Sequence, residues 1–143
     1  MSEQAALTAL LTAEHAAIYG YGVLGARLDE RTRALALRAY DAHRSRRNAL
    51  ETAMRSRSLT PPATAAAYDV TVADKASALR LAQRIENDLG VLWRDLVGST
   101  DDPDLRALAT TGLQASAVQL VVWRRTAGQR PEPDAFPGQV SPR

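Results

Sequence analysis

Side chains capable of acid–base or metal chemistry interrupt the apolar rows of this sequence at helical spacing. Glu14, His43 and Glu86 each occupy a position three or four residues from apolar neighbours, in three separate segments. Arg47, one turn beyond His43, and Gln119, in a fourth segment, interrupt their rows in the same way. Residues at this spacing share one face of a helix, and each lies near the middle of its segment. We therefore expect a buried polar layer, whose charges must be paired because unpaired buried charge is costly.

A dinuclear metal centre is the chemistry best known for such a layer. In a helix bundle it takes a Glu from each of two helices and a Glu-x-x-His from each of the other two. Glu14 and Glu86 match the two lone acids, but Asp41 and His43 are only two residues apart, and the last helical segment has no acid after Asp104 and no histidine. The sequence therefore predicts that a complete dinuclear site is absent.

Two interpretations of the layer remain. In the favoured one, Arg47 together with His43 supplies the countercharge for Glu14 and Glu86, and the core holds neither metal nor another cofactor. In the alternative, Glu14, His43 and Glu86 bind a single Fe, Mn or Zn ion, because three oxygen and nitrogen ligands suffice with water in the open positions. The sequence leaves open whether the protein is an enzyme.

Four long helical segments must position these residues. Helix-forming residues with apolar positions at helical spacing cover about 3–28, 30–57, 71–97 and 103–127. The first and last connections are short and predict two antiparallel hairpins, whereas the middle one is long enough to cross the bundle. We expect an all-α four-helix bundle over residues 1–127, followed by a Pro-rich tail over 128–143.

Composition excludes several other classes of protein. The 143-residue chain has no cysteine, so disulfides, thiolate metal sites and a cysteine nucleophile are excluded. Its net charge is only +2, and the arginines between 44 and 57 do not share a face, so we expect no nucleic-acid partner. The uncharged apolar stretch 16–26 is too short to span a bilayer, so we expect no membrane partner and a cytoplasmic location. We also expect a homodimer; the sequence does not identify a small-molecule ligand.

Three segments resemble a known family: 13–28 (AEHAAIYGYGVLGARL), 42–50 (AHRSRRNAL) and Ile85-Glu86. They are similar to an uncharacterised bacterial family of ferritin-like four-helix proteins, described as a domain of unknown function, over about residues 5–127. The resemblance implies a ferritin-like bundle with its crossover and brings no established activity. We therefore expect a binding or assembly role for a degenerate, metal-free core, with a metal-binding protein or metal-dependent oxidoreductase as the alternative.

Overall fold

The computed structural model describes residues 1–130 and 136–139 of the chain. These residues form four α-helices and no strand, which confirms the all-α prediction: α1 (Glu3–Gly25), α2 (Glu30–Ser56), α3 (Lys75–Ser99) and α4 (Pro103–Thr126). None of the helices within this part of the chain is both long and apolar enough to cross a membrane. Of the predicted tail, residues 131–135 and 140–143 lie outside the described residues.

Each helix begins at a polar N-cap whose side chain accepts a hydrogen bond from the backbone of the first turn: Ser2, Asp29, Asp74 and Asp102. The predicted capping residue of the third helix, Thr71, is wrong by three residues, because the N-cap is Asp74. Asp74 and Ser77 form a reciprocal capping box there, so the backbone donors of the first turn are satisfied only from Asp74 onward.

The contacts at the two ends of the bundle define its topology. At one end, Arg57 Nε, just after α2, donates to Glu3 Oε1 at the start of α1 across 2.9 Å. At the other end, Lys75 at the start of α3 pairs with Asp29, the N-cap of α2. Since α2 and α3 begin at the same end, the connection 57–74 runs the length of the bundle, as the crossover prediction requires. Helix α1 packs against α2 and α3, and α4 packs against α3 and, more sparsely, α2.

The crossover connection is fastened to the outer side of α1. His15 Nε2 lies 3.3 Å from the Pro62 carbonyl, which can only accept, so Nδ1 accepts the Thr64 hydroxyl at 3.0 Å. Further along, the rings of Tyr19 and Tyr68 contact each other with centroids 5.4 Å apart. His15 is therefore a residue that positions the connection, beside the core and outside its central layer.

Two apolar clusters fill the bundle, one toward each end. The first includes Leu10, Leu50 and Trp93, and the second includes Leu24 and Trp123. Burial of these side chains supplies the main driving force for helix association. The polar residues of the candidate site lie between the two clusters, so the apolar packing on both sides excludes solvent from them.

Candidate functional site

A histidine between two glutamates occupies the centre of the bundle. His43 Nδ1 lies 2.8 Å from Glu14 Oε2, and His43 Nε2 lies 3.0 Å from Glu86 Oε1. Helices α1, α2 and α3 thus contribute one residue each, and the exposed fraction of every one is 1% or less. The structure brings together the three residues that the sequence placed in a common layer.

Two aromatic residues extend this arrangement to the fourth helix. The Tyr21 hydroxyl donates to Glu86 Oε1 across 2.5 Å, and it accepts the Trp123 indole N–H across 2.7 Å. The Tyr21 ring also stacks on the His43 ring, with centroids 5.0 Å apart. We call Glu14, Tyr21, His43, Glu86 and Trp123 the core cluster; its hydrogen bonds join all four helices.

The electrostatics of the core cluster make His43 a cation at neutral pH. Burial by itself lowers the pKa of His43, but the hydrogen bonds and charges of Glu14 and Glu86 outweigh burial and raise that pKa to about 9. Both ring nitrogens then donate, one to each carboxylate. Burial, followed by the charge and hydrogen bond of Glu86, raises the pKa of Tyr21 well above its usual value, so Tyr21 stays a neutral phenol that can donate.

The cation beside the core cluster is Arg46, where the sequence predicted Arg47. Arg46 Nη1 lies 3.4 Å from His43 Nδ1. Arg47 is directed elsewhere, because its guanidinium donates twice to the Asn48 side chain, at 3.0 and 2.8 Å. Among the described residues, the ion-pair partner of both Glu14 and Glu86 is His43.

Gln119, the residue predicted from the fourth helix, is half-buried and takes no part in the hydrogen bonds of the core cluster. Trp123, one turn further along α4, takes that place. The sequence did not identify the indole N–H of Trp123 as a donor to the core. For Tyr21, the sequence did contain a signal of its place in the core. Tyr21 follows Glu14 by two helical turns and therefore lies on the same face of α1.

One oxygen of each carboxylate, Glu14 Oε1 and Glu86 Oε2, has no hydrogen-bond partner among the described residues. Glu86 also borders a cavity of about 10 Å³ between α3 and α4, which Pro137 and Gly138 help to line. That volume is close to the size of one water molecule. It offers no room for a substrate to reach the carboxylates.

The nitrogen and oxygen donors of the central triad are engaged with one another. A histidine binds a metal through a ring nitrogen lone pair, and each ring nitrogen of His43 lies at hydrogen-bond distance from a carboxylate. In residues 1–130 and 136–139, no group of three or more His, Asp or Glu side chains has the arrangement needed to hold a metal. A metal at this position would have to displace at least one His43 hydrogen bond beside the Arg46 cation.

Fold and site together describe an all-α four-helix protein with a crossover and a histidine held between two buried carboxylates. By sequence, the chain belongs to the family described as "Domain of unknown function (DUF4439)", whose model matches residues 6–141. No curated protein matches the chain.

Two solved structures share the fold. A conserved hypothetical protein, rv2844, from Mycobacterium tuberculosis is 38% identical, with a TM-score of 0.84 over 87% of this chain and 96% of that one. A hypothetical protein, MJ0754, from Methanococcus jannaschii has a TM-score of 0.75 over 93% of this chain and 86% of that one. It is only 14% identical, so this second likeness concerns the fold alone.

Proposed function

We propose that this protein has a binding or assembly role, performed by a ferritin-like bundle whose core is held together by charge in place of metal. One observation carries the proposal: His43 uses both ring nitrogens to bind carboxylates from two other helices. An imidazolium engaged on both sides has neither a lone pair for a metal nor a free proton for a substrate. The core cluster then serves to fix the helices, and the outer surface is the part available to a partner.

The alternative, a metal-dependent oxidoreductase using Glu14, His43 and Glu86, requires a different charge state. His43 would have to lose a proton, but its two carboxylate partners raise the pKa of His43 to about 9. The Arg46 guanidinium, 3.4 Å from the ring, would repel an incoming cation. Both features favour the metal-free core.

Elemental analysis tests the metal-free core directly. Protein purified without chelator, incubated separately with Fe²⁺, Mn²⁺ and Zn²⁺ and then desalted, should retain less than about a tenth of an equivalent of each metal. In parallel, ¹⁵N NMR at neutral pH should show both ring nitrogens of His43 protonated, with His15→Gln as the variant that removes the other histidine signal.

Stoichiometric metal that disappears in Glu86→Ala and persists in His15→Gln would overturn the metal-free core. The same conclusion would follow if the NMR spectrum showed one unprotonated nitrogen on His43. Glu86→Gln keeps the size of the side chain, so it serves as the second variant if Glu86→Ala fails to fold.

A homodimer remains part of the proposal, and Leu37 is the residue through which to test it. Its side chain is 58% exposed on α2, beside a surface groove that Gly22, Gly25 and Tyr40 help to line. Leu37→Glu should convert a dimer to a monomer in sedimentation velocity, whereas the neighbouring exposed Arg38→Glu should not. If the wild-type protein is a monomer, assembly is excluded from the proposed role and only the binding role remains. The cytoplasmic location likewise stays a prediction.

A further inference from the structure

A groove opens between α2 and α4, away from the core cluster. These two helices pack against each other more sparsely than the other neighbouring pairs, and the opening between them measures about 780 Å³. Its lining includes a continuous apolar surface formed by Leu35, Ala117, Val118, Val121 and Val122. Val118, one of these apolar side chains, is 64% exposed.

Cationic side chains gather at one end of the same groove. Arg31, near the start of α2, and Arg125, near the end of α4, both line it and are exposed. Lys75 lines it too, but its charge is paired with Asp29. Neither Arg31 nor Arg125 forms an ion pair with any residue that the structure describes. Two guanidinium groups are thus available to an anion.

The groove is polar at one end and apolar toward the middle of the bundle. Arg125 and Val118 are seven residues apart on α4, which places Val118 about 10 Å deeper along the helix axis. From Ala117 to Thr126 the groove follows α4 for about 13 Å, or two and a half turns. A ligand that matches it has an anionic head and an apolar body on that scale.

We infer that the groove binds a small single-chain amphiphile with a carboxylate head, such as a medium-chain fatty acid; this inference rests on the binding role proposed above. The two arginines hold the head, because a guanidinium presents paired donors to a carboxylate. Val118, Val121 and Leu35 cover the chain. The volume falls within the usual range of small-molecule sites, roughly 300–1,000 Å³.

Isothermal titration with decanoate, below its micellar concentration, tests the inference. Wild-type protein should bind decanoate saturably with a stoichiometry of one. The double variant Arg31→Gln/Arg125→Gln should bind about tenfold more weakly or worse, because it loses the charge-assisted hydrogen bonds to the head. Val118→Asp should also abolish binding, since it places a carboxylate on the apolar surface. Arg38→Gln, an exposed change elsewhere on α2, is the matched control and should bind like wild type.

Decanol, which lacks the charge, separates the contribution of the two arginines from that of the apolar surface. It should bind at least about tenfold more weakly than decanoate, and equal affinity would refute the role of the arginines. The absence of saturable decanoate binding by folded wild-type protein would refute the site. So would a dimer that Val118→Asp converts to a monomer, because the groove would then be an interface between two copies.

Failure of the amphiphile site and failure of the metal-free core give different results. Metal uptake that depends on Glu86 would overturn the core and leave decanoate affinity unchanged, because the groove does not include the core cluster. Absence of decanoate binding with a metal-free core would overturn the amphiphile site and leave the metal-free core standing. Circular dichroism of each variant establishes that the bundle is folded before titration.

Discussion

The charge on His43 should make the stability of the bundle depend on pH in a way that His43→Gln removes. The pKa of His43 is about 9 in the folded protein, against 6.5 for the unperturbed side chain. A raised folded-state pKa gives stabilisation that is complete below pH 6.5 and is lost as the pH rises through about 9. At 1.36 kcal/mol per pKa unit, the interval corresponds to about 3 kcal/mol of unfolding free energy.

Guanidinium unfolding followed by far-UV circular dichroism measures this loss. The unfolding free energy of wild type minus that of His43→Gln should fall by about 3 kcal/mol between about pH 6 and about pH 10. The subtraction cancels the titration of groups that lie away from the core cluster. His15→Gln is the matched control: it keeps the contacts of His43 with both carboxylates, so it should retain the loss of stability over this pH range that His43→Gln lacks.

The expected loss of stability at high pH follows from the number of hydrogen-bond donors on the imidazole ring. Above its pKa, His43 keeps one N–H, so only one of the two carboxylates retains its hydrogen bond and neither retains the cation. Parallel pH curves for wild type and His43→Gln, differing by less than about 0.5 kcal/mol across the range, would refute the buried imidazolium.

Three further substitutions test the packing and charges around the core cluster by the same unfolding assay. Tyr21→Phe should cost about 1–3 kcal/mol, because it removes a donor to a buried carboxylate and leaves a buried indole N–H without its acceptor; a neutral result would contradict the hydrogen-bond chain. Gly112→Ala should destabilise by about 1–3 kcal/mol, since the added Cβ would lie 2.4 Å from an indole ring, whereas Gly22→Ala meets nothing within 4 Å and should stabilise. Arg46→Ala should cost more than Arg47→Ala, which should stay within about 0.5 kcal/mol; the reverse order would restore the sequence-based assignment.

Helical periodicity was sufficient to predict the central triad and the class of fold. Glu14, His43 and Glu86 interrupt otherwise apolar rows, and burial of a charge without a partner is so unfavourable that the three had to meet. The length of the middle connection correctly predicted the crossover. These inferences succeeded because they depend on which face of a helix a residue occupies, and that is a property of spacing alone.

Periodicity could not predict which long side chain reaches the triad. Arg46 and Arg47 differ by about 100° around α2, and either can extend toward the core or along the surface. The choice depends on local partners, here Asn48, which holds the Arg47 guanidinium. For Tyr21, helical spacing places the ring in the apolar row. Spacing alone does not indicate that the hydroxyl of the same residue donates to Glu86.

The core cluster also makes one helix hairpin depend on the other. Glu86 lies on the α3–α4 hairpin, whereas its imidazolium partner, 43 residues away, lies on the α1–α2 hairpin. The α1–α2 hairpin alone still pairs His43 with Glu14, whereas the α3–α4 hairpin alone leaves Glu86 without its counterion. The α3–α4 half therefore depends on the α1–α2 half for its countercharge, and the crossover keeps the two halves on one chain.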